Sequence, residues 1–233
     1  MLKTWDEQNC DWMIEASLFT GFHKALAQKI IPHLMPDDKL CDVGCGLGRL
    51  DFEIAPFVSE IFAIDMSENA IKLLKAEVDR TGVTNLHARH GDATALDDTF
   101  DVILMSLYGA IDAQYYINHC RRKIIRITGA GTHSGLYPAR HRRNTKNAVP
   151  IVQKELAKLG VTFDLDLCSF EFGQPLKTWE NAVQFVLSNA PEADTDEINE
   201  FLNEKITHTG RVDFPYYLPY QKELGIFIID VPR

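Results

Sequence analysis

The sequence lacks a long apolar run, a paired-cysteine motif and an excess of basic residues. Without 18 consecutive apolar residues there is no candidate for a membrane-spanning helix, and acidic residues near the start disfavour a secretory signal. The five cysteines are odd in number and show no CxxC spacing, which disfavours a disulfide framework and a zinc site. These absences predict a cytoplasmic protein with no membrane association and no metal.

The net charge of −9 disfavours a nucleic-acid partner. Proteins that bind phosphate backbones usually carry a basic surface or a basic stripe. We therefore expect no DNA partner, and RNA is disfavoured. The segment ARHRR at 139–143 is the local exception, and it contains Arg140 and Arg143.

Apolar runs alternate with helical patterns along most of the chain. A helical pattern over about 9–34 comes first, and the last third holds a cluster of two helical patterns and the aromatic stretch FPYYLPY. Seven runs are typical of strands: KLCDVG, EIFAID, TNLHARHGD, DDTFDVILMSL, RKIIRITG, VTFDLDLCSFEF and LGIFIIDV. Strands alternating with crossover helices predict an α/β fold with a doubly wound, mostly parallel seven-stranded sheet.

The stretch CDVGCGLG at 41–48 places three glycines directly after the first strand. Gly44, Gly46 and Gly48 can adopt backbone angles that other residues avoid, and they leave room for a ligand against the backbone. A dinucleotide fingerprint would have Gly or Ala at the sixth position from Gly44. Arg49 stands there instead, which opposes a nicotinamide-dependent oxidoreductase. A glycine motif alone is weak evidence.

Carboxylates stand at the carboxyl ends of the second and third predicted strands, at the same edge of the sheet. Asp65 ends the second strand, where a carboxylate can accept hydrogen bonds from ribose hydroxyls. Two simpler roles remain open at this edge, since Asp65 can cap the next helix and Asp92 can form a turn after Gly91. Ser67 is better placed than Asp65 as the helix cap.

The segments CDVGCGLG, AIDMSENAI, HGDAT and FDVILMSLYG, in that order within 39–109, resemble class I S-adenosylmethionine (SAM)-dependent methyltransferases. The resemblance implies a Rossmann-like methyltransferase fold with SAM as the cofactor. The glycine loop would lie under the amino-acid part of SAM, and Asp65 would bind its ribose. The cofactor residues that the resemblance implies are Asp42, Gly44, Cys45, Gly46, Gly48, Asp65, Met66, Asp92, Ala93 and Ser106.

The sequence contains no motif that identifies the methyl acceptor. SLYG at the end of the fourth strand is not the Asp/Asn-Pro-Pro-aromatic motif of amino-directed DNA methyltransferases. No catalytic residue is assigned, and Tyr108 and His133 are weak candidates. The substrate-binding candidates are Tyr108, Arg140, Arg143, Trp179 and Tyr216.

The predicted organisation has four parts. Residues 1–38 form a helical segment that covers the cofactor, and 39–172 form the SAM-binding core. Residues 173–224 form a helical and aromatic cap, inserted before the final strand at 225–233. This cap and the acidic surface predict in-line methyl transfer to a small metabolite, which the arginine cluster suggests is anionic. RNA or protein methylation, and SAM binding by a regulatory protein without turnover, remain open alternatives.

Overall fold

A computed structural model describes residues 5–109, 113–130, 136–141 and 148–231. The helices are α1 (Glu7–Thr20), α2 (Phe22–Ile30), α3 (Arg49–Ile54), α4 (Glu68–Thr81), α5 (Ala113–Asn118), α6 (Val149–Leu159), α7 (Trp179–Asn189) and α8 (Thr195–Lys205). The strands are β1 (Lys39–Val43), β2 (Glu60–Asp65), β3 (Leu86–His90), β4 (Phe100–Ser106), β5 (Cys120–Gly129), β6 (Phe163–Glu171), β7 (Gln174–Leu176), β8 (Thr207–His208), β9 (Tyr216–Leu218) and β10 (Gln221–Asp230). Within these ranges no helix has the length and apolar character needed to cross a bilayer.

The main sheet has seven strands in the order β3-β2-β1-β4-β5-β10-β6. The strands from β3 to β5 pair in parallel, whereas β10 runs antiparallel to both β5 and β6. The strand order reverses between β1 and β4, which are neighbours: β2 and β3 extend from β1 to one edge of the sheet, and β5, β10 and β6 extend from β4 to the other. This arrangement confirms the predicted α/β fold with a mostly parallel seven-stranded sheet.

Both faces of the sheet are buried, as a parallel sheet with crossover helices requires. On one face, Leu40 and Ile61 pack in a cluster that includes Leu26 of α2. On the other face, Cys41 and Ile103 belong to a second cluster. Burial on two sides explains why the central strands read as continuous apolar runs in the sequence.

Glycines and caps decide where several helices begin and end. Ser67 accepts a hydrogen bond from the Ala70 amide at 3.2 Å, and Gly82 ends α4 in the left-handed conformation. The continuous helix predicted over 9–34 is wrong, because Gly21 has a φ of 66° and separates α1 from α2. The apolar spacing continues across this break, so periodicity alone did not reveal it.

Residues 174–218 lie between β6 and β10 in the chain. They contain the two predicted helices, α7 and α8, together with a small antiparallel sheet in the order β7-β9-β8. Periodicity did not predict this sheet, because its strands have only two or three residues each. The final strand also begins earlier than predicted, at Gln221. The division into a core and a cap remains a prediction.

Gly225 of β10 offers a test of the packing between the sheet and α6. A Cβ at this position would overlap Val149 and lie 3.2 Å from Leu165 Cδ1. We expect Gly225→Ala to lower the free energy of unfolding by about 1–3 kcal/mol through overpacking, as measured by urea denaturation. Adding Val149→Ala should recover part of this loss. Additive losses in the double variant would contradict the proposed overlap.

Candidate active site

The loop after β1 is packed so closely that it requires glycine. Gly44, Gly46 and Gly48 have φ angles of 73°, 55° and 62°. A Cβ on Gly46 would lie 2.7 Å from the Trp5 ring, and one on Gly44 would overlap the Tyr108 ring. The loop therefore presents bare backbone at the carboxyl end of β1, the usual ligand position in an open parallel sheet.

Asp65 joins this loop to β2 and α4. Its Oδ2 accepts from the Gly46 amide and its Oδ1 accepts from the Ser67 amide, both at 2.8 Å. The neighbouring Met66 is exposed, and its carbonyl oxygen lies 3.0 Å from His90 Nε2. Asp65 thus fixes the position of the loop, while its role in ribose binding remains a prediction.

Asp92 lies in a turn at the end of β3. Its Oδ1 accepts from the amide of Thr94 at 2.8 Å and from its hydroxyl at 2.7 Å. The pKa of Asp92 is lowered chiefly by these two bonds, that of the amide first. The following residue, Ala93, is buried. The turn-forming role of Asp92 is therefore present in the structure, and adenine recognition by Asp92 and Ala93 remains a prediction.

Asp42 and Asp51 are buried side by side beneath the glycine loop. Burial raises the pKa of Asp42 to about 7, and the charge of Asp65 adds to this effect, whereas a hydrogen bond with Asp51 opposes it. The pKa of Asp51 is raised well above its usual range by burial and by Asp42. Burial likewise raises the pKa of the Cys45 thiol, so this side chain is neutral at pH 7.

A cavity of about 420 Å³ opens beside the glycine loop. Its wall combines the N-terminal helices, the loop, the end of β4, the region before the final strand, and β10. Leu107, directly after β4, has a φ of 55° although it is not glycine. Strained backbone of this kind is concentrated at functional sites. The lining residues include Trp5, Asn9, Trp12, His23, Asp42, Gly44, Cys45, Gly46, Arg49, Ser106, Leu107, Tyr137, Phe172, Gln174, Phe185, Asn189, Tyr220 and Lys222.

One part of this cavity wall is cationic. Arg49 forms an ion pair with Glu77 at 3.5 Å, yet its Nε is buried with no acceptor. Lys222 Nζ lies 4.7 Å from the centre of the Phe172 ring. The pKa of His23 falls to about 3, first because of burial and then because of the charges of Lys222 and Arg49. His23 is therefore neutral, with its Nδ1 2.7 Å from the Ser17 hydroxyl.

The structure brings together about half of the predicted cofactor residues on the cavity wall. Asp42, Gly44, Cys45, Gly46 and Ser106 line the cavity. The other five lie in the loop or at and just after the ends of β2 and β3: Gly48, Asp65, Met66, Asp92 and Ala93. These residues share one region of the structure, and their individual contacts with the cofactor remain predictions.

Three of the predicted substrate residues, Arg140, Trp179 and Tyr216, are not among the described residues that line the cavity. Arg140 pairs with Glu197 at 2.5 Å and is exposed. Trp179 and Tyr216 pack edge to face with ring centres 6.1 Å apart, and the described cavity lining contains neither ring. Their roles in substrate binding remain predictions.

One catalytic candidate and one substrate candidate fall in parts of the chain that the structure does not describe. His133 and Arg143 lie outside the described residues. Tyr108 stands against Gly44, and burial raises the pKa of its hydroxyl, while a hydrogen bond with Tyr116 acts in the opposite direction.

Arg49 and Lys222 are the candidate functional residues that sequence reasoning missed. Arg49 directly follows the glycine motif, and its position there was interpreted only as evidence against a dinucleotide fingerprint. Lys222 lies far along the chain at the start of β10, so no local pattern connects it with the loop. Across the described ranges, no group of three or more His, Cys, Asp or Glu residues is arranged to hold a metal ion.

Comparison with known proteins agrees with this geometry. A family model described as a methyltransferase domain matches residues 34–158, more than half of the chain. A probable cobalt-precorrin-6B C(15)-methyltransferase (decarboxylating) from Methanococcus maripaludis strain C5 is 26% identical over 146 residues, which are 63% of this chain and 75% of that protein.

Solved structures share the fold at low sequence identity. The YcgJ protein from Bacillus subtilis gives a TM-score of 0.56 at 11% identity, over 89% of this chain and 98% of that one. A precorrin-6y C5,15-methyltransferase from Geobacter metallireducens GS-15 gives 0.52 at 11% identity, over 88% and 86%.

The fold and the glycine loop define a class I SAM-dependent methyltransferase. The chain belongs to the methyltransferase-domain family, and SAM is its methyl donor.

The residues at the carboxyl edge fit SAM. The positive φ angles of Gly44 and Gly46 leave backbone open to the cavity, and Asp42 lines the same wall. We propose that these three residues hold the amino-acid part of the cofactor, with Asp65 and Asp92 towards its nucleoside part.

Asp65→Ala tests the support of the loop. Because the variant loses a charged acceptor for the Gly46 amide, we expect SAM affinity to fall about 10- to 100-fold, equivalent to about 1.5–3 kcal/mol. Isothermal titration calorimetry measures this change. Ser67→Ala is the control, since it removes the cap of α4 and should cost stability while leaving SAM affinity within about twofold. Unchanged affinity in Asp65→Ala would refute the role of Asp65.

Proposed function

We propose that this methyltransferase acts on a small anionic metabolite bound in the cavity beside the glycine loop. The observation that carries the proposal is the pair of cations, Arg49 and Lys222, on the cavity wall. Asp42 is the single acidic residue in the described lining, and its pKa of about 7 leaves it partly neutral. The cavity therefore favours a negatively charged ligand.

Two buried donors support an acceptor rich in oxygen. Arg49 Nε and Trp12 Nε1 are buried and have no hydrogen-bond acceptor among the described residues. A buried donor without a partner costs about 1–3 kcal/mol, and a carboxylate or phosphate oxygen would remove that cost. Guanidinium groups suit both kinds of anion.

Position, rather than strong acid–base chemistry, is the proposed contribution of the protein. SAM supplies a methyl group already activated by its sulfonium. The cavity walls would hold the acceptor in line and exclude water. His23, with a pKa of about 3, is a weak base, and the raised pKa of Tyr108 keeps its hydroxyl protonated.

Neither alternative function gains support from a specific contact. Arg140, which belongs to the basic segment proposed for RNA or protein docking, pairs with Glu197 and also lies 3.5 Å from Asp194. These pairs reduce the charge that it can offer to a polymer. All five cysteines are free thiols, which supports the proposed cytoplasmic location.

The test is an assay for S-adenosylhomocysteine by mass spectrometry, with purified protein, SAM and a panel of acceptors. The panel contains small carboxylates and phosphates, their neutral amides or alcohols, and a bulk RNA sample. Because the relatives from Methanococcus are named for cobalt-precorrin-6B, that compound is included. We expect turnover with an anionic member and loss of turnover with its neutral counterpart. SAM binding without any turnover would favour the regulatory alternative, and turnover with RNA alone would overturn the proposal.

Arg49→Met and Lys222→Met test the cationic wall once an acceptor is known. Each variant keeps an unbranched apolar side chain but removes a charge, so we expect KM for the acceptor to rise at least tenfold. The affinity for SAM, measured separately, should stay within about threefold of the wild-type value.

Arg140→Met is the matched control, since Arg140 lies outside the described cavity lining. It should change neither parameter. SAM also carries a carboxylate, so a loss of SAM affinity at unchanged acceptor KM would assign Arg49 and Lys222 to the cofactor and refute the acceptor site.

A further inference from the structure

The Asp42–Asp51 pair has an environment that the methyl-transfer proposal leaves unexplained. Asp42 is 2% exposed and Asp51 is fully buried. Asp42 Oδ1 and both oxygens of Asp51 receive no hydrogen bond from a backbone or side-chain donor within the described residues. Two carboxyl groups are thus buried without the donors that normally stabilise carboxylates.

The two carboxyl groups instead lie next to each other, and each acts on the pKa of the other. A carboxylate is only an acceptor, so a hydrogen bond between two carboxyl groups requires a proton on one of them. Two ionised carboxylates buried next to each other would also repel each other strongly. The pair therefore holds at least one proton in the free protein.

Among the described residues, none of the charges that act on Asp42 or Asp51 is a cation that would favour loss of this proton. Asp65 on β2 adds a negative charge to the field at Asp42. Cys41 of β1 and Cys45 of the loop are thiols whose pKa values are raised by burial, so both are neutral. Arg49, on the same helix as Asp51, is directed to Glu77 of α4 at 3.5 Å.

The pair also reaches the cofactor wall. Asp42 lines the cavity beside Gly44 and Gly46. Asp51 Oδ2 lies 3.2 Å from the position that a Cβ on Gly48 would take, so it sits directly below the loop. A cation bound against the loop would therefore lie next to Asp42 and would act on Asp51 through it.

We propose that SAM binding releases a proton from the Asp42–Asp51 pair, which then carries negative charge opposite the cationic amino-acid end of the cofactor. The proton moves from the carboxyl pair to solvent, and no covalent bond of SAM changes. The coupling concerns the cofactor site and does not depend on which acceptor the enzyme uses.

The sign of the pH dependence follows from this coupling. Ligand binding favours the ionised pair, so SAM affinity is full above the pKa of the pair and falls as the pH drops below it. With the pKa of Asp42 at about 7, SAM affinity should fall about tenfold from pH 8 to pH 6.

Calorimetric titration at pH 7, in phosphate and in imidazole buffer, tests the proposal directly. The slope of observed enthalpy against buffer ionisation enthalpy counts the protons exchanged. We expect SAM to release about half a proton, because a group with a pKa near 7 is half protonated there. 5′-Methylthioadenosine, which lacks the amino-acid end and the positive charge, should release none. Equal release with both ligands, or no release with SAM, would overturn the proposal.

Asp42→Asn is the matched variant, because the amide keeps the shape of Asp42 and removes the carboxyl group whose pKa lies at about 7. It should release no proton from the pair when SAM binds, so its pH dependence between pH 6 and 8 should be that of the SAM α-amino group alone. The α-amino group of SAM titrates near this range and contributes equally to both proteins, so the difference between them reports the pair alone. The same proton release in Asp42→Asn as in the wild type would also refute the proposal.

Thermal unfolding without ligand provides a readout that is independent of binding. The pair binds more protons in the folded than in the unfolded protein between pH 4 and 7, so its contribution to stability falls as the pH rises through this window. We expect the difference in Tm between wild type and Asp42→Asn to change across the window in that direction. A difference that is constant with pH would show that the pair does not titrate.

Discussion

The hydrogen bond from the Gly46 amide to Asp65 is the contact on which the rest of the site depends. It connects the loop after β1 to the end of β2, and the other Asp65 oxygen connects the same point to the start of α4. Three elements therefore share one carboxylate. Because the glycines have no side chains to pack, an acceptor outside the loop helps to fix their backbone. Helix α3 begins directly after this loop and carries Arg49 and Asp51.

The cavity brings together segments that are far apart in the sequence. Trp12 and His23 come from the N-terminal helices, Arg49 from α3 and Lys222 from β10. Away from bulk water these charges act on each other over longer distances than at the surface, as the lowered pKa of His23 shows. The same low polarity raises the pKa of Asp42 on the opposite side of the glycine loop. The cavity wall thus combines the cations Arg49 and Lys222 with the carboxyl group of Asp42, so different parts of the site have different electrostatic preferences.

The fold of this chain does not determine which acceptor it methylates. Structures at 11% identity share the fold, so very different sequences can satisfy the packing of this sheet. In our proposal, the acceptor side is built from the N-terminal helices and from residues before the final strand, where the small sheet β7-β9-β8 and the helices α7 and α8 lie. Function at that side follows from particular side chains and not from the fold.

The sequence by itself determined the α/β class, the seven strands and the glycine loop, because periodicity and local motifs encode features formed by neighbouring residues. The cofactor followed from the resemblance of four segments to a known family. It misplaced the end of the first helix and missed strands of two or three residues, since a single glycine and such short runs leave little periodic signal. The contacts of Arg140, Trp179 and Tyr216 depend on partners from other elements. Only the tertiary structure decided that Arg49 and Lys222 share one cavity and that Asp42 and Asp51 are buried together. The strands and helices must first pack before charges from distant parts of the chain can change each other's chemistry.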